Sequence, residues 1–175
     1  MTPARDIDID AGDDGLKRAV AELICREATL LDRRRWQEWL ELYTEDAVYW
    51  VPSWASEEET VSEPETQLNL IYLRSRGGLE DRVFRIESRD SYASLPLDRT
   101  VHLVGNVLVE RIAEDEIAAS ANCLVHSYGK KGALTRASLY DFIVRRSPDG
   151  ALRIARKKIT LIDDRLEGPI DIYHL

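Results

Sequence analysis

Few side chains in this sequence could support metal or nucleophilic chemistry. The histidines are His102, His126 and His174, and the cysteines are Cys25 and Cys123. No two histidines stand at HxH or HxxxH spacing, and the cysteines form no CxxC pair. An iron–sulfur centre held by two thiolates and two imidazoles needs a C-x-H…C-x-x-H arrangement, which does not occur. No acidic residue sits close to two histidines, as a two-histidine, one-carboxylate iron site would require. Neither GxGxxG nor GxxxxGK[ST] is present. Gly77-Gly78 reads as the end of a helix, so it offers no phosphate-cradling N-terminus. There is no GxSxG elbow, and Cys123 falls in the middle of an apolar strand pattern. The expectation is no metal ligands, no cofactor-binding residues and no catalytic nucleophile in this chain.

General acid–base chemistry is what remains. A carboxylate or imidazole in an apolar cavity has its pKa moved by desolvation and could shuttle a proton. The available groups are Asp46, Tyr49, His102, His126, Tyr128 and Asp141. Each competes with a plainer role as a surface residue or a hydrogen-bonded core group, which is the commoner fate of such residues. Asp141, between Tyr140 and Phe142, is expected to point outward or to meet an arginine. Trp36, Trp39, Trp50 and Trp54 all fall within 19 residues. They suit core packing, while Trp50 or Trp54 could anchor a subunit interface, where tryptophan is enriched. The basic runs Arg33–Arg35 and Arg156–Lys158 read as solvated, the latter pairing with Asp163 and Asp164.

The elements that must position these groups follow from length and patterning. A chain of 175 residues fits one domain. It carries 24 Lys+Arg against 32 Asp+Glu, a net charge of −8, which disfavours nucleic acid as a partner. Two unpaired cysteines, no basic-then-apolar leader and no long apolar run predict a cytoplasmic protein. Residues 1–15 are acidic and aperiodic and read as a mobile arm, solvated or partner-binding, with residues 16–175 as the single domain.

Leu16, Ala19, Val20, Leu23, Ile24, Leu30 and Leu31 form one helical stripe. A second helix is predicted over Arg35–Tyr43, with Asp32–Arg35 as a charged bend. Ala47–Val51 reads as a strand stopped by Pro52, and Leu68, Ile71 and Tyr72 as a helix ended by Gly77-Gly78. Five strands then follow: Val83–Ala93, Thr100–Ile112, Glu116–Tyr128, Thr135–Arg146 and Leu152–Asp163. In the last, Leu152 and Ile154 share one parity and Ile159 and Leu161 the other, which predicts a bulge. Helices followed by an antiparallel meander imply an α+β fold: a cone-shaped, strongly curved, mainly antiparallel sheet covered by about three N-terminal helices.

Several stretches together resemble a known family. They are Leu31-Asp32-Arg33-Arg34-Arg35-Trp36, Leu42-Tyr43-Thr44-Glu45-Asp46 and Tyr49-Trp50-Val51-Pro52. Arg76-Gly77-Gly78-Leu79, Glu80–Ile86 and Arg99-Thr100-Val101-His102 agree in order and spacing. The sequence is similar to small (β) subunits of aromatic-ring-hydroxylating dioxygenases, in the benzoate, anthranilate and 2-halobenzoate branch. The resemblance implies an NTF2-like, SnoaL-like cone and a structural, non-catalytic role. It also implies an α subunit carrying a Rieske [2Fe-2S] cluster and mononuclear Fe(II), in an α3β3 hexamer. Electrons would come from NADH through a reductase or ferredoxin. Arg99 and His102 become candidates for holding strand register or meeting a neighbouring subunit, beside Trp50 and Trp54. The competing expectation is a stand-alone NTF2-like dehydratase or isomerase using a pocket histidine or aspartate.

Overall fold

The computed structural model describes residues 14–88, 95–113, 115–166 and 168–175. The acidic arm expected over 1–15 lies outside the described residues up to position 13. Helix α1 (Asp14–Asp32) buries Val20, Leu23, Ile24, Glu27, Ala28, Leu30 and Leu31 along one stripe. Its most extensive packing is against β3 (Arg99–Arg111). A bend at Arg34, held at φ 54°, turns the chain into the short helix α2 (Trp36–Leu40). Arg34 fixes that bend by donating to the carbonyls of Leu97 and Asp98, at 3.1 and 3.2 Å.

The sheet contains β1 (Tyr43–Pro52), β2 (Asn69–Leu73), β3, β4 (Glu116–Gly129), β5 (Gly132–Arg146) and β6 (Leu152–Leu161). Its order is β2-β1-β6-β5-β4-β3. All neighbours are antiparallel except β1 and β6, which run parallel. Together with the N-terminal helices, this is the α+β, mainly antiparallel arrangement expected.

Two expectations exchange places. The segment read as a helix around Leu68–Tyr72 is β2, and Gly77-Gly78 open α3 (Arg76–Ser88) instead of ending a helix. Of the strand expected at Val83–Ala93, residues 83–88 complete α3, and 89–93 lie outside the described residues. The physical reason is that short apolar runs fit either period. Leu79, Val83 and Ile86, the buried residues of α3, are spaced i, i+4, i+7. The glycine pair serves close approach, since a Cβ on Gly78 would lie 3.0 Å from Leu73 Cδ2.

Curvature comes from bulges. The pairing of β3 with β4 jumps between Gly105 and Leu108, where Asn106 takes φ 54°. The parity slip predicted for the last strand is a bulge at Ala155: Val144 pairs Ile154 and Ile143 pairs Arg156. Both Ile154 and Ala155 are consequently buried. The β4–β5 hairpin turns through Lys130-Lys131, with Gly132 at φ 96°. Gly129 sits so close to Asp98 that a Cβ there would overlap its carboxylate, at 1.6 Å from Oδ1.

Candidate functional site

The cone's interior is built around a charge. Glu27, on the core-facing stripe of α1, is 0% exposed, and so is Lys157, pointing inward from β6. Lys157 Nζ donates to Glu27 Oε1 and Oε2 at 2.9 and 3.0 Å. Trp39 Nε1–H and the Tyr43 hydroxyl each donate to Glu27 Oε1 at 2.8 Å. The ammonium also lies 4.3 Å from the ring centroid of Tyr140, 5.7 Å from Phe142 and 5.8 Å from Tyr49.

The electrostatics follow from this geometry. Burial pushes the Glu27 carboxyl up, but the Lys157 charge and the bonds from Lys157, Trp39 and Tyr43 outweigh it and hold it below its ordinary value. Burial and the neighbouring Glu27 charge push the Tyr43 and Tyr49 phenols well above theirs. The centre is therefore one carboxylate, one ammonium and a shell of neutral phenols. The Tyr49 hydroxyl has no hydrogen-bond partner among the described residues. Removing it with Tyr49→Phe is expected to leave stability unchanged or raise it by up to about 1 kcal/mol, read from urea denaturation. A loss of that size would show that the hydroxyl is satisfied.

The acid–base candidates named from the sequence do not converge on this interior. Only Tyr49 lies in it. Asp46 is largely exposed and pairs with Arg145 Nη1 at 2.9 Å. His126 is exposed and its Nδ1 lies 2.9 Å from Thr135 Oγ1 on the neighbouring strand. Tyr128 is exposed beneath the Arg99 guanidinium, 5.1 Å from its ring centroid. Asp141 points outward, opposite Lys158.

His102 is buried between elements. Its Nδ1 lies 2.6 Å from Asp32 Oδ1, its backbone N–H donates to Asp32 Oδ2 at 2.9 Å, and its Nε2 lies 3.1 Å from the Leu175 carbonyl. Thr100 donates to the same aspartate at 3.0 Å. The cluster ties the end of α1, the start of β3 and the C-terminal turn together. Burial raises the Asp32 carboxyl, and the bonds and charge of His102 with the Thr100 bond more than reverse it, so it sits below the usual aspartate value.

Trp50 and Trp54 are half-buried. Trp50 Nε1–H donates to Asn69 Oδ1 at 2.6 Å, and Lys158 Nζ lies 4.8 Å from its ring centroid. Trp54 Nε1–H donates to the Leu161 carbonyl at 2.9 Å. On the sheet's outer face, Leu103 pairs Leu124 in register, and Leu139 follows one strand over. These three are 63%, 46% and 45% exposed, forming an apolar strip.

Sequence reasoning missed Glu27 and Lys157. The signal for Glu27 was a gap in the α1 stripe: it occupies the place between Ile24 and Leu30 where an apolar residue was due. Lys157 sits in a basic run close in sequence to Asp163 and Asp164, a pattern typical of surface. It shares the inward parity of Ile159 and Leu161, and its partner is Glu27.

Among the described residues, no group of three or more His, Cys, Asp or Glu could hold a metal ion. Nor is any described helix long and apolar enough to cross a membrane. Comparison with known proteins bears directly on what such a cone is for. A family profile described as the ring hydroxylating beta subunit matches residues 26–168. The 2-halobenzoate 1,2-dioxygenase small subunit of Burkholderia cepacia is 40% identical over 89% of this chain and 94% of its own. The crystal structure of the β subunit of benzoate 1,2-dioxygenase from Burkholderia mallei superimposes with a TM-score of 0.73 at 35% identity, covering 95% of this chain and 98% of that one. An NTF2-like protein with a cystatin-like fold from Novosphingobium aromaticivorans shares the fold, with a TM-score of 0.59 at 21% identity, over 85% and 83% of the two chains. With both sequence and structure matching over nearly its whole length, the chain belongs to the family of ring-hydroxylating dioxygenase β subunits.

Proposed function

We propose that this chain is the non-catalytic, structural β subunit of a terminal oxygenase component. Its partner would be an α subunit that dihydroxylates an aromatic acid with O2 and electrons from NADH. The observation that carries this reading is the closed centre of the interior. Where a cone-fold enzyme needs a cavity with a working acid or base, this cone places a closed ion pair walled by Trp39, Tyr43, Tyr49, Tyr140 and Phe142. The runner-up, a stand-alone dehydratase or isomerase, would need His102, His126 or Asp46 in that space. The first is tied between α1 and the C-terminal turn, and the others face out. The relatives named above are subunits of a 2-halobenzoate and a benzoate 1,2-dioxygenase, which supports an aromatic acid as substrate of the assembly.

In this reading the Rieske cluster and mononuclear Fe(II) reside on the α subunit, the assembly is an α3β3 hexamer in the cytoplasm, and a reductase or ferredoxin supplies electrons. Residues 16–175 act as one NTF2-like domain, with the acidic segment 1–15 as an appendage. The outer sheet face, with Leu103, Leu124 and Leu139 and flanked by Trp50 and Arg99, is a contact surface within the assembly, joined by Trp54. His102 serves structurally from inside the subunit.

Co-expression with an α subunit of this family tests the proposal. The two chains should co-purify as a stable hetero-oligomer with ring-dihydroxylating activity, and the isolated β chain should hold no iron and turn over nothing. Failure to co-purify with any such α subunit, or dehydratase or isomerase turnover by the chain alone, would overturn it. The double variant Leu124→Asp/Leu139→Asp should keep the thermal unfolding transition of the isolated chain yet lose co-purification. Unchanged co-purification would remove the outer face from the interface.

A further inference from the structure

A cavity of about 370 Å3 opens beside the β4–β5 hairpin on the concave side of the sheet, where the buried Ser127 and Arg136 share the inward parity of Val125 and Ser138, and neither Glu27 nor Lys157 lines it. That volume lies in the range of small-molecule sites, roughly 300–1,000 Å3. Its lining combines two chemistries: apolar residues, Leu95, Pro96, Leu134, Ile170 and Tyr173, and cationic ones, Arg85, Lys130, Lys131 and Arg136.

The acidic groups on the lining are already engaged. Asp98 Oδ2 lies 3.3 Å from His174 Nε2. Asp171 pairs with Arg82 and Arg85 at 3.0 and 3.2 Å and accepts from the Ile172 N–H. Lys130 and Lys131, in contrast, make no ion pair among the described residues. Among the described lining residues Arg85 pairs with Asp171 and Arg136 is engaged, so the positive charge open to a ligand comes from Lys130 and Lys131, in a chain whose net charge is −8. A local excess of positive charge against an acidic background favours an anion at that place.

We propose that this cavity binds a small organic carboxylate, with its apolar body against Leu134 and Tyr173 and its charge toward Lys130 and Lys131. Two simpler ligands fit less well: inorganic anions leave the apolar lining without a partner, and neutral aromatics leave the lysines without one. The inference concerns a binding activity of this chain itself, and it stands whether or not the chain assembles with an α subunit.

Titration of the full-length chain at low ionic strength tests it, with three probes followed by amide chemical shifts and calorimetry. Phenylacetate should bind saturably and perturb Gly132, Leu134, Ile170 and Tyr173. Phenylethanol, similar in size but uncharged, should bind about tenfold more weakly, as should sulfate, the loss that follows from a charge-assisted contact or an apolar one. Lys130→Glu/Lys131→Glu, on an exposed turn, should lower phenylacetate affinity by a similar factor while leaving the unfolding midpoint close to wild type, and added salt should weaken binding. The proposal is overturned if phenylacetate fails to saturate or perturbs residues elsewhere, or if phenylethanol or sulfate binds as well. It is also overturned if a folded charge-reversal variant binds phenylacetate undiminished. The shift map is independent of the variant and decides the matter even if that variant misfolds.

Discussion

Lys157→Met should destabilise the protein by about 3–5 kcal/mol, the usual consequence of leaving one member of a buried ion pair without its partner. Methionine fills much of the space of the lysine stem, so packing loss is a minor part of the effect. What remains is Glu27, 0% exposed, holding two hydrogen bonds from Trp39 and Tyr43 but no cation. Glu27→Gln/Lys157→Met should recover much of the loss, because the amide oxygen can still accept from Trp39 and Tyr43 while no charge is buried. Urea denaturation of both single variants, Glu27→Gln and Lys157→Met, with the double variant and the wild type measures the coupling directly. A single-variant cost below about 1 kcal/mol would mean that the interior is wetter than its geometry implies.

The pH dependence gives an independent reading with a definite sign. In the wild type the folded-state pKa of Glu27 is depressed below 4.5. Its contribution is therefore complete above that unfolded value and is lost as pH falls through the folded one. Lys157→Met removes the cation that depressed it, and burial then raises the folded value. Stability of the variant should be greatest in acid and decline as pH rises toward neutrality, opposite in slope to the wild type. Matching slopes would show that Lys157 is not what holds Glu27 ionised.

The second large effect is expected at the junction of α1, β3 and the C-terminal turn. Asp32→Ala leaves the Thr100 hydroxyl, the His102 backbone N–H and the His102 ring without their shared acceptor. The aspartate side chain is 20% exposed, so water can replace part of what is lost, and the cost should be about 2–3 kcal/mol. The loss should reach the chain's end, because the other ring nitrogen of His102 faces the Leu175 carbonyl. Faster amide exchange across Ile172–Leu175 in the variant would report that coupling, and unchanged exchange there would confine the aspartate's role to α1 and β3. Asp32 is held below its usual 3.8, so its contribution in the wild type is present above that pH and fades as pH falls through the folded value.

Much of this architecture could be read from periodicity. The α1 stripe, the four strands β3 to β6 in the second half of the chain and even the Ala155 bulge follow from which residues repeat at what spacing. Periodicity failed where segments were short. The five residues of β2 and the thirteen of α3 were exchanged because a few apolar positions fit both periods, and a Gly-Gly pair can open a helix as well as close one. The interior was harder for a different reason. Charged residues are ordinarily assigned to the surface, so Glu27 and Lys157 vanish into the solvated class unless each is placed on its own face first. They also stand 130 positions apart, and nothing local in the sequence announces that they meet. His102, by contrast, was legible as a residue to watch, while its partner Asp32 looked like part of a charged bend.

The parallel pairing of β1 with β6 carries a consequence for how the protein is made. Strands β3 to β6 are joined by short connections and can zip up as successive hairpins. β2 can pair with one edge of β1 early, but β6, its parallel neighbour on the other edge, is synthesised roughly a hundred residues later, and until it emerges that edge has no ladder to join. The buried cation that Glu27 needs rides on that same last strand. On the ribosome, therefore, the helices and first strands wait as an open half with an unpaired β edge and an uncompensated carboxylate. Closure of the sheet and neutralisation of its centre arrive together, as one late event.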